Sequence, residues 1–209
     1  MIKNGTLAFA LVFVLGSSPA WAQKAEITPF IGYQFGGKAS LFNGDIKVND
    51  AANFGAILDI TLRPGGQLEL SYTRQNTQLQ WRPFSGVGED VDMSVEYFQI
   101  GGLGYVMRGD ARPFFSATLG ATHFNPKTNE IGGRSIDNEW RFSFILGLGV
   151  KYYPSQRVGL RLASHLYSTF LDTNSSIWCG VPSGCSFGFF GAGIFQVDVQ
   201  AGLVIGLGG

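Results

Sequence analysis

Beyond residue 25, apolar side chains recur at every second position, segment after segment. Successive side chains of a strand point to opposite faces, so this period sorts each segment into one apolar face and one polar or small face. Phe54, Ala56, Leu58, Ile60 and Leu62 share a face, backed by Asn53, Gly55, Asp59, Thr61 and Arg63. Leu68, Leu70 and Tyr72 repeat the pattern against Glu69, Ser71 and Thr73. The longest run is Trp140, Phe142, Phe144, Leu146, Leu148, Val150 and Tyr152, with Arg141, Ser143, Gly147, Gly149 and Lys151 between them. Phe195, Val197, Val199, Ala201, Leu203, Ile205 and Leu207 alternate against Gln196, Asp198 and Gln200. Shorter runs begin at Ile27, Phe115 and Val158. From Met93 to Met107 apolar residues occur in both registers around Tyr97 and Phe98, as a bulge or partial burial would produce.

Connections between these segments alternate in length. Short turns fall at Pro64-Gly65-Gly66, Arg108-Gly109-Asp110-Ala111 and Pro154-Ser155-Gln156-Arg157. Long polar stretches lie near 37–52, 75–91, 125–139 and 171–188. Three short turns and four long loops imply eight antiparallel strands with both termini on the short-turn side. Bacterial outer-membrane barrels have this asymmetry, with short periplasmic turns and longer extracellular loops. Closure is required in lipid, where an open sheet edge would leave backbone groups unsatisfied.

The first 22 residues read as a removable export signal. Lys3 supplies a positive start, Leu7 to Leu15 an apolar core, and Ala20-Trp21-Ala22 a cleavage site that leaves Gln23 as the expected new N-terminus. That apolar run is shorter than the roughly 20 residues of a spanning helix, and no second long apolar stretch follows. Residues 23–209 are then expected to form one outer-membrane barrel domain of a Gram-negative bacterium.

A soluble barrel with its apolar face inward is the alternative. It would need a well-charged exterior, yet only 14% of residues are charged and the face opposite the apolar one is largely Gly, Ser and Thr. Aromatics also fall at segment ends, at Tyr33, Phe35, Tyr72, Trp140, Tyr152 and Phe195, as in interfacial girdles. With the apolar face toward lipid, Asp59, Glu69, Glu96 and Asp198 are expected to point inward, together with Arg63, Arg141, Lys151 and Arg161. In so narrow a lumen these charges would either pair into a plug or line an ion-selective passage.

Chemistry-bearing motifs are sparse. Cys179 and Cys185 are expected to form a disulfide that pins a loop of an exported chain. No His or acidic cluster accompanies them, so no metal site is expected. Of two histidines, His123 precedes Asn125-Pro126, and His165 lies on the Arg161 side of its strand with Ser168 three positions on, across the strand. Ser143 or Tyr167 could approach His165 only across strands, so no catalytic residue is assigned. Gly101-Gly102-Leu103-Gly104 lies inside a strand-like run and not before a helix, so no nucleotide cofactor is expected. A net charge of zero leaves no footprint for nucleic acid.

The run Val91 to Gly102 resembles part of the OmpA/OmpX-like outer-membrane β-barrel domain family. So do Ala111-Arg112-Pro113-Phe114-Phe115, leading to Leu119 to Phe124, and the cysteine-containing loop followed by Phe195 to Leu203. The resemblance implies the barrel and no single activity, since such barrels are porin-like, structural, adhesive or defensive. Family members commonly end on an aromatic residue that serves the barrel-insertion machinery. Here the ending is Ile205-Gly206-Leu207-Gly208-Gly209, with Leu207 as the candidate substitute. The expectation is a non-enzymatic surface barrel with a structural or adhesive role, surrounded by outer-membrane lipid and lipopolysaccharide. Its long loops, above all the one holding Trp178, would meet any extracellular partner. A narrow passive channel is the alternative, and a lipid-modifying enzyme the third reading.

Overall fold

The computed structural model describes residues 25–41, 44–83, 89–106, 109–127, 130–131, 134–135, 138–155, 157–170, 177–180, 184–187 and 193–207. The expected export signal, with Ala22 and Gln23, lies outside the described residues. Fourteen strands follow in chain order: β1 (Ala25–Phe35), β2 (Lys38–Leu41), β3 (Gly44–Val48), β4 (Ala51–Arg63), β5 (Gly66–Pro83), β6 (Glu89–Tyr105), β7 (Ala111–Pro126), β8 (Glu130–Ile131), β9 (Arg134–Ser135), β10 (Glu139–Tyr152), β11 (Val158–Phe170), β12 (Ile177–Gly180), β13 (Gly184–Phe187) and β14 (Gly193–Gly206).

Eight of them form a closed antiparallel wall in the order β5-β4-β1-β14-β11-β10-β7-β6, and β6 pairs back to β5. Closure satisfies the backbone of every wall strand without an exposed edge. First and last strands meet, as Ile27↔Ile205 and Tyr33↔Val199. The wall runs through the alternating segments, and its sides follow the alternation. Ile31, Leu148 and Leu162 are 72%, 64% and 57% exposed on the outside, whereas Asp59 and Lys151 inside are each 0% exposed. That inversion of the usual burial rule is what a lipid solvent selects, and a water-soluble barrel of the lipocalin kind does not have it.

Two expectations about the wall change. The stretch 75–91 is mostly not a loop: β5 continues to Pro83 and β6 begins at Glu89, paired as far as Trp81↔Glu89. From Gln75 to Gln78 the strand keeps its alternation with polar residues on both sides, Gln75 and Thr77 buried inside and Asn76 and Gln78 exposed. Nor is there a bulge between Met93 and Tyr105, where the pairing to both neighbours is continuous. Both faces are apolar there because Met93, Val95, Tyr97 and Leu103 point into the barrel while Phe98 and Ile100 face out. The register shift between β4 and β5 falls instead between Thr61 and Arg63, at the short turn.

The long-loop end carries three small hairpins, β2–β3, β8–β9 and β12–β13, the first docked on the extension of β5. In the last of these Cys179 and Cys185 are backbone partners, directly opposite each other.

Candidate functional site

The interior is built in layers because the barrel is narrow enough for facing walls to touch. Nearest the short turns, Asp59 lies beside Glu26 and Glu69 across the β1–β4 and β4–β5 pairings, and Lys151 lies beside Arg161 across β10–β11. Each wall alone would juxtapose like charges. Facing each other, the two walls neutralise: Lys151 Nζ is 2.7 Å from Asp59 Oδ2 and 3.0 Å from Glu26 Oε2, and Arg161 is 2.8 Å from Glu69 Oε2 and 3.4 Å from Asp59 Oδ2. Neutral groups complete the layer. Lys151 Nζ and the Tyr105 hydroxyl both donate to Gln67 Oε1, at 3.0 and 2.8 Å, and the Tyr153 hydroxyl donates to Glu26 at 2.9 Å. The Arg161 guanidinium lies over the Phe114 ring at 4.5 Å. Gly149 makes the space, since a Cβ there would come within 2.8 Å of Phe114 Cζ. Each buried ion of the layer meets an opposite charge, which offsets much of the cost of burying it, while Asp59 Oδ1 and Arg161 Nε have no protein partner.

Above this layer Asp198 collects donors from several strands. Asn53 Nδ2 and the Tyr167 hydroxyl each donate to Oδ2 at 2.8 Å, and the His165 backbone N–H donates to Oδ1 at 3.1 Å. His165 Nδ1 is 2.9 Å from the same Oδ1. Gln34, Tyr97 and Gln196 continue the network across the lumen, with the Tyr97 hydroxyl donating to Gln196 Oε1 at 2.7 Å. Toward the long loops the interior turns apolar, where Met93, Val95, Phe124 and Ile145 pack with the rings of Tyr97 and Tyr167.

Six of the eight expected interior charges therefore face inward: Asp59, Glu69, Lys151, Arg161 and Asp198 in the lumen and Arg141 at its long-loop end. Two depart from the expectation. Arg63 is exposed at the short turn, where the register shift after Thr61 releases it from the inward face. Glu96 faces outward, because Tyr97 takes the inward position, and it meets Tyr72 at 2.9 Å, His123 at 3.0 Å and Arg74 at 3.4 Å. His123 in turn stacks on Trp140, with ring centroids 4.4 Å apart. Arg141 keeps the inward side of β10 with Ser143 and Ile145, at the long-loop mouth, where it pairs with Glu139. Glu26 was missed, although the alternation of Ile27, Pro29 and Ile31 already assigns it to the inward side.

Catalysis would need a nucleophile on His165. The two hydroxyls weighed for that role are engaged otherwise: Ser143 Oγ accepts from Gln99 Nε2 at 2.6 Å, and Tyr167 donates to Asp198. Among the described residues no group of three or more His, Cys, Asp or Glu side chains is placed to hold a metal ion.

No protein-family model matches the chain, and no curated protein matches its sequence. Solved structures do match in shape. Neisserial surface protein A superposes with a TM-score of 0.55 at 12% identity, covering 87% of this chain and 96% of that one. The outer membrane protein OprG from Pseudomonas aeruginosa superposes with a TM-score of 0.52 at 13% identity, covering 88% and 97%. Likeness at this identity shows a shared fold and fixes no activity. With its closed eight-stranded wall, apolar exterior and charge-filled interior, the chain has the fold of the small outer-membrane β-barrels.

Proposed function

We propose that the protein is a non-enzymatic barrel of the outer membrane of a Gram-negative bacterium, sealed along its axis, whose task lies in envelope structure or in adhesion through its long loops. The observation that carries this reading is the ionic layer in which Lys151 and Arg161 bridge to Asp59, Glu69 and Glu26 across the full width of the lumen. Opening a path there would strip buried charges of their partners, at a cost of several kcal/mol. The reading includes removal of residues 1–22, assembly by the barrel-insertion machinery and a surrounding shell of phospholipid and lipopolysaccharide. It also includes a Cys179–Cys185 disulfide, supported by their direct backbone pairing, that stiffens the hairpin beside Trp178.

Single-channel recording of the refolded protein in planar bilayers tests the seal. Folded protein, recognised by heat-modifiable migration on a gel, is expected to stay electrically silent, and reproducible discrete openings would overturn the plug. A narrow passive channel is the second reading. It is favoured by buried polar atoms without a protein partner, among them Asp59 Oδ1, Asn53 Oδ1 and Gln99 Oε1, which suit internal water. On that reading Glu69→Ala or Arg161→Ala changes the conductance of an already open pore. Hydrolysis of phospholipid or lipopolysaccharide that is lost in His165→Ala would instead make the barrel an enzyme.

A further inference from the structure

Toward the long loops the outward face of the wall does not end in the same way on every strand. On β10, β11, β14 and β1 it ends on aromatic rings, those of Trp140, Phe170, Phe195 and Phe35. On β5, β6 and β7 the outward apolar run stops at Tyr72, Phe98 and Ala121, and the next outward positions are Arg74, Glu96 and His123. These three and Trp140 are direct neighbours across the four strands, as Arg74↔Glu96, Glu96↔His123 and His123↔Trp140. Ionisable side chains turned toward lipid are costly and rare unless a function keeps them. Here the carboxylate is consumed within the row. Glu96 Oε1 accepts from the Tyr72 hydroxyl at 2.9 Å and from Arg74 Nη1 at 3.4 Å, and Oε2 lies 3.0 Å from His123 Nδ1. Arg74 Nη2, His123 Nε2 and the Trp140 indole N–H have no protein partner among the described residues.

Next to this row, on its short-turn side, the same outer face opens into a groove of about 320 Å³. Ile27, Ala56, Leu58, Leu70, Tyr72 and Phe98 line it, and the inward-turned Ile57, Ser71 and Gln99 between them form its floor. Ala56 makes the dent, since the outward positions on either side of it along β4 are Phe54 and Leu58. Groove and row share Tyr72, whose ring lies 5.1 Å from that of Phe98 and whose hydroxyl holds Glu96. An apolar groove that runs into a row of unpaired donors has the form of a single lipid, chain on one side and headgroup on the other. Guanidinium groups present forked N–H donors that match the oxygens of a phosphate. With neutral imidazole the row has no net charge, so it would recognise a phosphate through these donors and not through a field. The long loops of such barrels face outside the cell, so the leaflet at this level is the one that carries lipopolysaccharide.

We propose that this sector of the wall seats one lipopolysaccharide molecule, with a phosphate of its lipid A on Arg74, His123 and Trp140 and an acyl chain along the groove. The proposal rests on the membrane reading above. Losing a charge-assisted hydrogen bond from such a seat weakens binding by about tenfold. The full chain, refolded in detergent micelles and checked for heat-modifiable migration, would be titrated with diphosphoryl lipid A, with its dephosphorylated form and with phosphatidylglycerol. Retained lipid would be counted by native mass spectrometry.

Wild-type protein is expected to retain diphosphoryl lipid A about tenfold better than either comparison lipid. Arg74→Gln should remove that preference. Ala56→Phe fills the groove and leaves the donors in place, and should also weaken retention of lipid A. Arg63→Gln, at the opposite end of the barrel, should change nothing. Equal retention of the phosphorylated and dephosphorylated forms by folded wild type, or unchanged retention in either Arg74→Gln or Ala56→Phe, would overturn the proposal. So would phosphatidylglycerol held as well as lipid A, which would make the sector an unselective lipid contact. Inorganic phosphate competing as well as lipid A would likewise overturn it, in favour of a plain anion site. Failure to fold or to insert into vesicles is read separately by the gel shift and counts against the membrane reading itself.

Discussion

The two ends of the lumen solve the same packing problem with opposite chemistry. At the short-turn end five charges from β1, β4, β5, β10 and β11 fill the interior, with side chains between 0% and 12% exposed. At the long-loop end Met93, Val95, Phe124 and Ile145 pack an uncharged cluster, with the neutral Gln75 and Thr77 beside it. Apolar packing tolerates small displacements and rewards area. An ionic layer rewards only the arrangement in which every charge meets its partner, so it fixes which wall faces which. The lower layer thus specifies the register of the closed barrel, and the upper one mainly excludes water.

Removing one partner from the lower layer should have the largest effect. Asp59→Ala leaves Lys151 and Arg161 sharing the remaining acids, and is expected to destabilise the folded barrel by about 3–5 kcal/mol in urea unfolding from vesicles. In the upper layer Ile145→Ala should cost about 2–4 kcal/mol by leaving a cavity. Neither cost should change much between low and high salt, because buried groups are poorly screened. If Asp59→Ala proves cheaper than Ile145→Ala, the lower layer is wet and the contrast between the two ends collapses.

Glu96→Gln sharpens the comparison between charges inside and outside the wall. Glu96 shares its face with Arg74, whose side chain is 39% exposed, so the change should cost about 0.5–1 kcal/mol. Glu69→Gln, facing Arg161 in the lumen, should cost clearly more, and equal values would mean that burial does not separate the two carboxylates. Arg63→Gln should be the smallest effect, within about 0.5 kcal/mol, since the side chain is exposed at a turn. A larger loss would show that Arg63 takes part in the lumen network after all.

Where one face was uniformly apolar, as from Trp140 to Tyr152, the alternation located the strand and its two sides without ambiguity. It failed at Glu96 for a definite reason. Apolar residues on both sides of Tyr97 and Phe98 erase the contrast that marks the inward face. Arg63 was misplaced because regular alternation was extended through a register shift that no residue type announces. Polar segments such as Gln75 to Gln80 read as loops because polar residues occupy both faces, Gln75 and Thr77 buried inside and Asn76 and Gln78 exposed, so no apolar periodicity marks the strand.

Local sequence determined the solvent: apolar residues at every second position, with few charges opposite them, suit a wall between lipid and a narrow interior. It also determined the strand number through the alternation of short turns and long loops. Which charges meet was decided only by closure. Asp59 lies 92 positions from Lys151 and 102 from Arg161, and Asn53 lies 145 from Asp198. No local pattern spans such separations. The wall must curve shut before those side chains share a layer, and the low dielectric of that closed interior is what makes their pairing obligatory.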